Sequence, residues 1–448
     1  MRQINTSSCA IASTADPPPW RVWLRGELHR VLPRVARLPS GRAFSVVLGV
    51  PESLSPLFDG SHGDWIWQAP ARSASFCGLG LVGAEMDVAG WRYLRRDLET
   101  FGDPGPPPSA RLTAPPFSGA TRLGLPKIVL RSGRGGQWLY LNGLRDANGA
   151  EAAEADWMRL LESAPPPGPR SGGRRERAPR PDFSSWRARV EEAVAGIKSG
   201  RFSKVVLARH MTVTSSGPFD ADRLLRGMAE TRQTGRRFKI PLQEGVVIAD
   251  SPELLAERRG DLVVSHALAG TARRHDDPAE DRRAASAMLA SPKERREHEI
   301  VARFIADALG ELCSDVNRAP VPMVMRLLGL QHLWTPVSGR LRPGFDLFDV
   351  IERLHPTPAV LGFPREAARA WLERVEESRD GLYTGLAGWV DLDGDGEAAV
   401  VLRSAFLRGR EARLWAGAGI MAESRAEAEW NETRLKMENL LRLIEEGA

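Results

Sequence analysis

Two glutamate-rich segments have the spacing of helix faces. Glu294 and Glu297 lie three residues apart in SPKERREHEIVARFIADAL, and Glu429 and Glu432 lie three residues apart in SRAEAEWNETRLKMENLLRLI. Residues three and four apart share one face of a helix, and both pairs continue into apolar positions on that face. If the two helices met, the four carboxylates would form an oxygen-rich cluster of the kind that magnesium prefers.

A simpler interpretation of the same residues needs no metal. Ser291 and Glu294 fit the N-cap and third position of a capping box, and a second Ser-x-x-Glu begins the other segment. Glu432 and Lys436 stand four residues apart and fit an exposed ion pair on a helix surface. Spacing alone favours this interpretation, and the magnesium cluster stays open beside it.

Lysine is rare in this chain. Only six of the 62 basic residues are lysines, namely Lys127, Lys198, Lys204, Lys239, Lys293 and Lys436. Only an ammonium group can lose its proton near neutral pH, so a chain that otherwise uses arginine makes each lysine a candidate for chemistry. Lys204 lies in the β-branched run FSKVVLAR, where propensity favours an exposed position at a strand edge.

Further candidates have simple structural interpretations. Glu253 in SPELLAER fits a capped helix start, and His332 in LQHLWT fits a satisfied, partly buried histidine. Arg403 lies in the apolar run AAVVLRSAFL and requires an anion or a solvent-facing position. The glycines of LAGTARR and WAGAGI favour turns, whose amides can also bind carboxylates. DLDGDG resembles a calcium loop, but its twelfth position is Leu402 instead of glutamate, so we interpret it as a hairpin turn.

The elements that carry these residues indicate an α+β fold. Residues 183–200 predict an amphipathic helix, and the two glutamate-rich segments predict two more. Strands are predicted at residues 44–50, 202–214, 246–249, 385–390, 398–407 and 413–416. Strands that alternate irregularly with helices favour largely antiparallel sheets.

Length and composition indicate a folded, cytoplasmic protein. The 448 residues are 42% hydrophobic and 27% charged, which is ordinary for globular proteins. No apolar run is long enough to span a membrane, and the N-terminus lacks the apolar centre of a secretory signal. The three cysteines have no paired spacing, which argues against a disulfide framework or a zinc site.

Composition also suggests the boundaries of segments. Residues 1–20 predict a disordered arm, and residues 21–163 predict a β-rich part. Residues 164–182 predict a linker or loop without regular structure, because they are rich in proline, glycine and arginine. Residues 165–181 contain five arginines and one glutamate, most of the chain's net charge of +5. The basic balance is therefore local, and no nucleic-acid partner is expected from it.

The order of these segments resembles the chorismate-utilising enzyme family, and most closely its isochorismate synthases. The resemblance rests on FSKVVLAR, SPELL, LAGTARR, KERREHEIV, QHLWTPVSGRL, LHPTPAVLGFP, GLYTGLAGWVD, and AGAGIM followed by EWNETRLK. It is strong over residues 183–448 and weaker before them, where DWIWQAP and RLGLPKIVL are similar to the family's first strands. It implies one α+β unit, a sandwich of two large, mainly antiparallel sheets with flanking helices, in which residues 183–448 are the chorismate-binding catalytic core.

The resemblance implies a role for each candidate residue. Lys204 matches the base that activates water, and Glu253 matches the general acid. The positions that match the Mg²⁺ ligands are Glu297 and Glu432, with Glu294 and Glu429 around them. The positions that match substrate-binding residues are Gly270, Thr271, His332, Thr357, Tyr383, Arg403, Gly417, Ala418, Gly419 and Lys436.

The implied reaction is the magnesium-dependent isomerisation of chorismate to isochorismate, for menaquinone or catecholate siderophore biosynthesis. Chorismate is a dicarboxylate, so its site requires cations and N–H donors. A neutral lysine takes a proton from the water that attacks C2, while the acid protonates the departing C4 hydroxyl. An arginine at position 204 could not act as a base at neutral pH, which accounts for a lysine there.

Other members of the family fit less well. Anthranilate synthases use ammonia and typically carry glutamine where Lys204 stands, and aminodeoxychorismate synthases carry a lysine where Ala269 stands. Salicylate synthases share the lysine and the acid and also eliminate pyruvate, so a salicylate synthase remains an alternative. The resemblance implies a monomer with chorismate as its small-molecule substrate, without a glutamine amidotransferase subunit or a membrane partner.

Three positions depart from the family's pattern. Ala249 and Asp250 precede SPE where Gly-Ala is usual, and His266 replaces a common proline before LAGT. Asp250 is an extra carboxylate near Glu253, and it either raises the pKa of Glu253 or points away from it. A carboxylate that points into an anion site would impair activity, so a catalytically impaired chorismate-binding homologue is a second alternative.

Overall fold

Two stacked β-sheets with helices on their outer faces make up the protein. The structure is a computed structural model that describes residues 17–55, 63–70, 74–118, 120–133, 135–145, 150–163, 176–230 and 235–446. Several strands are buried along their whole length, for example Ser109–Ala114 and Leu386–Asp391. Strands of this kind are covered on both faces, here by the other sheet and by a layer of helices.

Ten helices lie within the described ranges, and none of them is long and apolar enough to cross a membrane. They are α1 (Pro19–Val35), α2 (Val88–Asp97), α3 (Ala150–Glu162), α4 (Phe183–Lys198), α5 (Ala221–Glu230), α6 (Pro278–Ala290), α7 (Pro292–Leu312), α8 (Leu347–Leu354), α9 (Arg365–Val375) and α10 (Ala426–Glu446).

The strands alternate irregularly with these helices. In chain order they are β1 (Ala43–Gly49), β2 (Trp65–Gln68), β3 (Ser75–Leu79), β4 (Glu99–Gly102), β5 (Ser109–Ala114), β6 (Arg122–Gly124), β7 (Ile128–Gly133), β8 (Gly136–Leu144), β9 (Glu176–Arg180), β10 (Lys204–Thr214), β11 (Arg236–Leu242), β12 (Gly245–Ser251), β13 (Leu254–Arg259), β14 (Leu262–Arg273), β15 (Cys313–Arg318), β16 (Met323–Arg326), β17 (Leu330–Leu341), β18 (Gly362–Phe363), β19 (Leu386–Asp391), β20 (Gly396–Val400), β21 (Ser404–Arg408) and β22 (Glu411–Ile420).

The larger sheet joins strands from both halves of the chain. Its order is β18-β10-β22-β21-β12-β11-β2-β3-β7-β8-β1-β4, with β9 beside β10. The two halves meet where β11 pairs antiparallel with β2. Pairing is antiparallel at β10 and β22 and parallel at β1 and β4. The N-terminal part therefore completes a sheet that the C-terminal part begins.

The smaller sheet also combines both halves. Its order is β15-β17-β14-β13-β20-β19-β5-β6, with β16 beside β17. Its inner face meets the larger sheet through aromatic side chains, since the rings of Phe76 on β3 and Trp389 on β19 lie 4.7 Å apart. Its outer face packs on α7 and α8 through side chains such as Val301 and Ile351. This arrangement confirms the predicted α+β sandwich.

The three predicted helices are present as α4, α7 and α10. Ser291 caps α7 as expected, because its hydroxyl accepts a hydrogen bond from the amide of Glu294 at 3.3 Å. The hairpin interpretation of DLDGDG is also confirmed: the segment turns between β19 and β20, and Gly394 takes a positive φ of 85°.

Three local predictions were wrong. SPELLAER does not begin a helix, because residues 254–259 form β13, which pairs with β14 and β20. The glycines of LAGTARR and WAGAGI lie in strands β14 and β22 instead of turns. Residues 398–407 are not one strand, since β20 belongs to the smaller sheet and β21 to the larger. In each case tertiary pairing outweighs local propensity.

Two segment predictions also need correction. Helix α1 begins at Pro19, inside the predicted arm, and residues 1–16 lie outside the described residues. Residues 176–180 of the predicted linker form β9, an exposed strand paired with β10, while residues 164–175 lie outside the described residues. Proline is tolerated in β9 because an edge strand can leave one side of its backbone unpaired.

Candidate active site

Most of the predicted site residues surround one cavity between the two sheets. The cavity has a volume of about 70 Å³, and both sheets, α7 and α10 contribute to its wall. The predicted residues that line it are Glu253, Gly270, Thr271, Glu297, His332, Tyr383, Arg403, Gly417, Gly419 and Lys436. These residues span almost 200 positions of sequence, so only the fold brings them together.

Lys204 lies behind this wall as the first residue of β10. Its side chain is 1% exposed, which excludes the interpretation as an exposed edge lysine. Its Nζ lies 3.2 Å from Oε1 of Glu297 on α7. Gly419 on the neighbouring strand β22 gives the pair its space, because a Cβ built there would lie 2.1 Å from Oε1 of Glu297 and 3.0 Å from Cε of Lys204.

Glu253 occupies the short connection between β12 and β13. The side chain is 3% exposed, and burial raises the pKa of Glu253 to about 7, against the opposing charge of Lys204. The hydroxyl of Thr357 donates a hydrogen bond to Oε1 of Glu253 at 3.4 Å. Thr357 does not line the cavity; it contacts the carboxyl that does. A buried carboxyl with this pKa can hold a proton near neutral pH and release it, as a general acid must.

The glutamates of α7 and α10 meet, as the sequence suggested. Thr271 joins the two helices, since its amide donates to Oε2 of Glu294 at 3.1 Å and its hydroxyl donates to Oε1 of Glu432 at 3.4 Å. Burial, followed by repulsion from Glu297, raises the pKa of Glu294 to about 7. Burial opposes the ionisation of Glu432, but Lys436, whose Nζ lies 2.6 Å from Oε1, holds the pKa of Glu432 below its usual value.

Lys293 is a cation of this cluster that the sequence analysis did not assign. Its Nζ lies 2.8 Å from Oε1 of Glu429, and the Glu429 side chain is 2% exposed. Burial raises the pKa of Glu429 despite this partner. Three of the six lysines, namely Lys204, Lys293 and Lys436, therefore contact glutamates of α7 and α10. Lysine scarcity was the signal that could have found Lys293.

The cluster is suited to a hard divalent cation. Four glutamates lie on two adjoining helix faces, and repulsion from Glu297 adds to burial in raising the pKa of Glu294. Among the described residues, no group of three or more acidic, histidine or cysteine side chains is arranged as a ready metal site. Magnesium is commonly held by one or two carboxylates together with water and an anionic substrate, so a pair of ligands suffices.

His332 and Arg403, which both line the cavity, form a hydrogen-bonded unit. Nδ1 of His332 lies 2.9 Å from the carbonyl oxygen of Gly270, and Nη2 of Arg403 lies 3.1 Å from Nε2 of His332. A carbonyl only accepts and a guanidinium only donates, so a neutral ring with its proton on Nδ1 satisfies both contacts. Burial, with the nearby charge of Arg403, holds the pKa of His332 well below its usual range. His332 therefore orients Arg403 as a neutral ring.

Arg403 lies where the chain crosses from one sheet to the other. It follows β20 and precedes β21, and its φ of 50° is unusual for a residue with a side chain. Burial lowers the pKa of Arg403 to about 10, so the guanidinium stays charged at neutral pH. Among the residues that the structure describes, no carboxylate lies at salt-bridge distance from Arg403, so this buried arginine is suited to bind an anionic ligand.

Lys436 and the glycine strand form the floor of the cavity. Nζ of Lys436 donates to the carbonyl oxygen of Gly417 at 2.9 Å, and Gly417 and Gly419 both face the cavity. Tyr383 lies against the same strand, buried and stacked on Trp415 at 5.6 Å. Ala418 is different: its side chain points to the other face of β22 and packs in the apolar core with Val205 and Leu207.

Arg379 is a second residue that the sequence analysis missed. It is buried and donates to the carbonyl oxygens of Val206 at 2.8 Å and Val360 at 2.9 Å, two residues that line the cavity. It also pairs with Glu376 at 2.9 Å. No motif pointed to it, because it contacts the cavity wall through backbone carbonyls that lie far away in sequence, above all that of Val206.

The departures from the family pattern have different surroundings. His266 lies on β14 with its ring against Trp334 at 5.2 Å, and burial lowers the pKa of His266 to about 3. It does not line the cavity. Asp250 points into a second cavity next to the first, so it is not in the wall that holds Glu253.

Comparisons with known proteins show which chains and which fold this protein is similar to. A family model described as chorismate binding enzyme matches residues 111–445. Isochorismate synthase MenF of Bacillus subtilis is 36% identical over 260 residues, which are 58% of this chain and 55% of that protein. Isochorismate synthase DhbC of the same organism is 38% identical over 274 residues, 59% of this chain and 69% of that protein. The match thus spans little more than half of the MenF chain.

A solved structure extends the likeness to nearly the whole chain. MenF, the menaquinone-specific isochorismate synthase from Escherichia coli, superposes with a TM-score of 0.80 and 26% sequence identity. The superposition covers 94% of this chain and 99% of that one, so the N-terminal strands belong to the shared fold.

Proposed function

This chain belongs to the chorismate-binding enzyme family, and on that premise we propose that it is an isochorismate synthase, an isomerase that converts chorismate to isochorismate. The observation that carries the proposal is a buried carboxyl in the cavity wall with a pKa raised to about 7, Glu253, together with a buried lysine, Lys204, behind that wall. An acid and a base close to one binding cavity are what the exchange of a hydroxyl between two ring carbons requires.

The roles of the residues follow from their chemistry. Arg403 and Lys436 bind the carboxylates of the substrate, and His332 keeps the guanidinium of Arg403 in place. The uncharged amine of Lys204 takes a proton from a water molecule while the oxygen of that water bonds to C2 of the substrate. The ring double bonds shift, the C4–O bond breaks, and Glu253 protonates the departing oxygen to give water. One water enters and one leaves, so the substrate and product are isomers.

Glu297 and Glu432 would hold Mg²⁺, with Glu294 and Glu429 around them. When bound, the ion supplies positive charge for the ring carboxylate of chorismate and for the glutamates themselves. Gly419 keeps space open for the Glu297 carboxylate, and Thr271 fixes Glu294 and Glu432 through its amide and hydroxyl.

The product has to be identified directly. Purified protein is incubated with chorismate and magnesium chloride, and the mixture is analysed by chromatography, with EDTA in a parallel sample. Isochorismate without salicylate supports the proposal. Salicylate together with pyruvate would select a salicylate synthase, and the absence of any magnesium-dependent product would contradict the proposed activity. One solved relative is a menaquinone-specific isochorismate synthase, and we propose menaquinone or catecholate siderophore biosynthesis as the pathway and a cytoplasmic location.

A further inference from the structure

A second cavity adjoins the candidate active site. It has a volume of about 300 Å³ and shares Pro252, Arg403 and Lys436 with the first cavity as common wall. The first cavity, at about 70 Å³, is the smaller of the two, and a cyclic dicarboxylate bound against Arg403 would lie at the boundary between them. The second cavity offers additional space beside the residues that the two cavities share.

Asp250 points into this second cavity without a partner. It is the penultimate residue of β12, and its side chain is 4% exposed. Neither carboxylate oxygen has a hydrogen-bond partner among the described residues. Only its backbone is engaged, since its amide donates to the carbonyl oxygen of Arg403 at 3.3 Å. A buried carboxylate with two unsatisfied oxygens is costly unless a ligand or a proton satisfies it.

The surroundings of Asp250 bring both charges and apolar surface to the cavity. Arg237 lies opposite Asp250 on the neighbouring strand β11. The other charged side chains that line the cavity are Arg403 and, on α10, Lys436, Arg442 and Glu446. Helix α5 and the β16–β17 turn line the cavity with apolar side chains, including Met228 and Leu327. Burial raises the pKa of Asp250 to about 6, although Arg237 and Arg403 oppose the shift.

We propose that Asp250 takes up a proton from solvent when the anionic substrate binds, and that the neutral carboxyl donates a hydrogen bond to the substrate carboxylate held by Arg403. This inference rests on the proposed function. Two carboxylates cannot both stay ionised side by side in a buried site, and one proton removes the repulsion and supplies the missing hydrogen bond. Asp250 then determines how tightly the substrate binds at a given pH, at a position where the family resemblance leads us to expect a small, uncharged residue.

The expected signature is a binding constant that weakens as pH rises. The free protein has Asp250 half protonated at about pH 6, and the substrate carboxylate shifts its titration upward. Between the two titration points, the apparent affinity falls by up to about tenfold for each pH unit. Asp250→Asn keeps the shape and a donor but cannot titrate, so its affinity should match that of the wild type at low pH and stay level.

Proton uptake can be measured without turnover. Chorismate and magnesium are titrated calorimetrically into Lys204→Ala, which we expect to be inactive, in two buffers of different ionisation enthalpy at about pH 7.5. We expect the Lys204→Ala protein to take up about one proton when the substrate binds. The double variant that also carries Asp250→Asn should take up about one proton less. The difference isolates Asp250 from Glu253 and Glu294, which can also bind protons near this pH. Asp250→Ala serves as a second variant that neither titrates nor donates; it should lose the uptake and bind more weakly than Asp250→Asn.

The outcomes separate this inference from the proposed function. Equal proton uptake with and without Asp250 would overturn the inference while leaving the enzyme assignment intact. The same holds if the KM for chorismate rises with pH as steeply in Asp250→Asn as in the wild type. A complete lack of chorismate binding in the Lys204→Ala protein would contradict the proposed function, and the inference with it.

Discussion

Nζ of Lys204 lies 3.2 Å from Oε1 of Glu297, so the candidate base contacts a candidate metal ligand. The contact joins the first residue of β10 to α7, and it is almost shielded from water, with side-chain exposures of 1% and 12%. Buried charges of opposite sign depend on each other, because removal of one leaves the other unpaired in a poorly solvated place. The same two residues therefore link the catalytic and metal-binding parts of the site.

Replacement of Lys204 should remove turnover. We expect Lys204→Ala and Lys204→Arg to lower kcat by at least about 100-fold, because neither side chain can accept a proton from water at neutral pH. The measurement is isochorismate formation, with circular dichroism to verify folding. Lys198→Ala, an exposed lysine on α4, is the matched control and should keep full activity. Activity of the arginine variant within a few fold of the wild type would show that Lys204 only provides charge.

The glutamates of α7 and α10 should determine the magnesium requirement. We expect Glu297→Gln and Glu432→Gln each to raise the magnesium concentration for half-maximal activity by at least about tenfold, because a neutral amide is a poorer ligand for this ion. Glu299→Gln is the control, since Glu299 is on the same helix but exposed, with Arg318 at 3.1 Å. Magnesium titrations of the three variants that coincide would rule out the proposed ligands.

The sequence predicted the elements of the site better than their connections. Helices α7 and α10 and strand β10 follow from apolar periodicity and a Ser-Pro helix start, which are local signals. The crossing of Arg403 between the two sheets could not be predicted, because residues 398–407 read as one apolar run that only Arg403 and Ser404 interrupt. Only the pairing of β20 with β13 and of β21 with β12 separates that run into two strands.

The sequence predicted the roles of the glutamates only in part. The spacing of Glu294 and Glu297 indicated a shared helix face, yet Glu294 also fitted a helix cap and Glu432 an exposed pair with Lys436, and spacing alone favoured that interpretation. The contact of Lys293 with Glu429 on another helix depends on how α7 and α10 meet. Likewise Glu253 looked like a helix start, since nothing local shows that SPE enters a strand.

Gly419 should be intolerant of a side chain. A Cβ there would lie 2.1 Å from Oε1 of Glu297, so we expect Gly419→Ala to displace the carboxylate and lower kcat by at least about tenfold. Gly310→Ala in α7 is the control, because a Cβ there meets nothing within 4 Å and alanine is the better helix former. Steady-state kinetics of both variants test this, and unchanged activity of Gly419→Ala would mean that Glu297 need not stay in place.

Glu253 should act as the acid. We expect Glu253→Gln to reduce kcat by at least about 100-fold, because an amide cannot protonate the departing hydroxyl. In the wild type, activity should decline as pH rises through about 7, where Glu253 loses its proton. Asp261→Asn, an exposed acid paired with Arg340, is the control. A wild-type pH profile without this decline would argue against a proton from Glu253.

Because Glu253 is buried, its ionisation at high pH should destabilise the folded protein. Its pKa is about 7 in the folded protein, against 4.5 in the unfolded chain, so the folded state holds the proton more tightly. The stability that this provides is complete below about pH 4.5 and is lost as pH rises through 7, by up to about 3 kcal/mol. Glu253→Gln does not titrate, so we expect it to gain stability relative to the wild type between those pH values and to melt at a higher Tm at about pH 8. Thermal melts of both proteins across this range give the measurement. A constant difference in Tm would mean that Glu253 ionises in the folded protein as easily as in water, and the buried acid on which the proposed mechanism depends would then be absent.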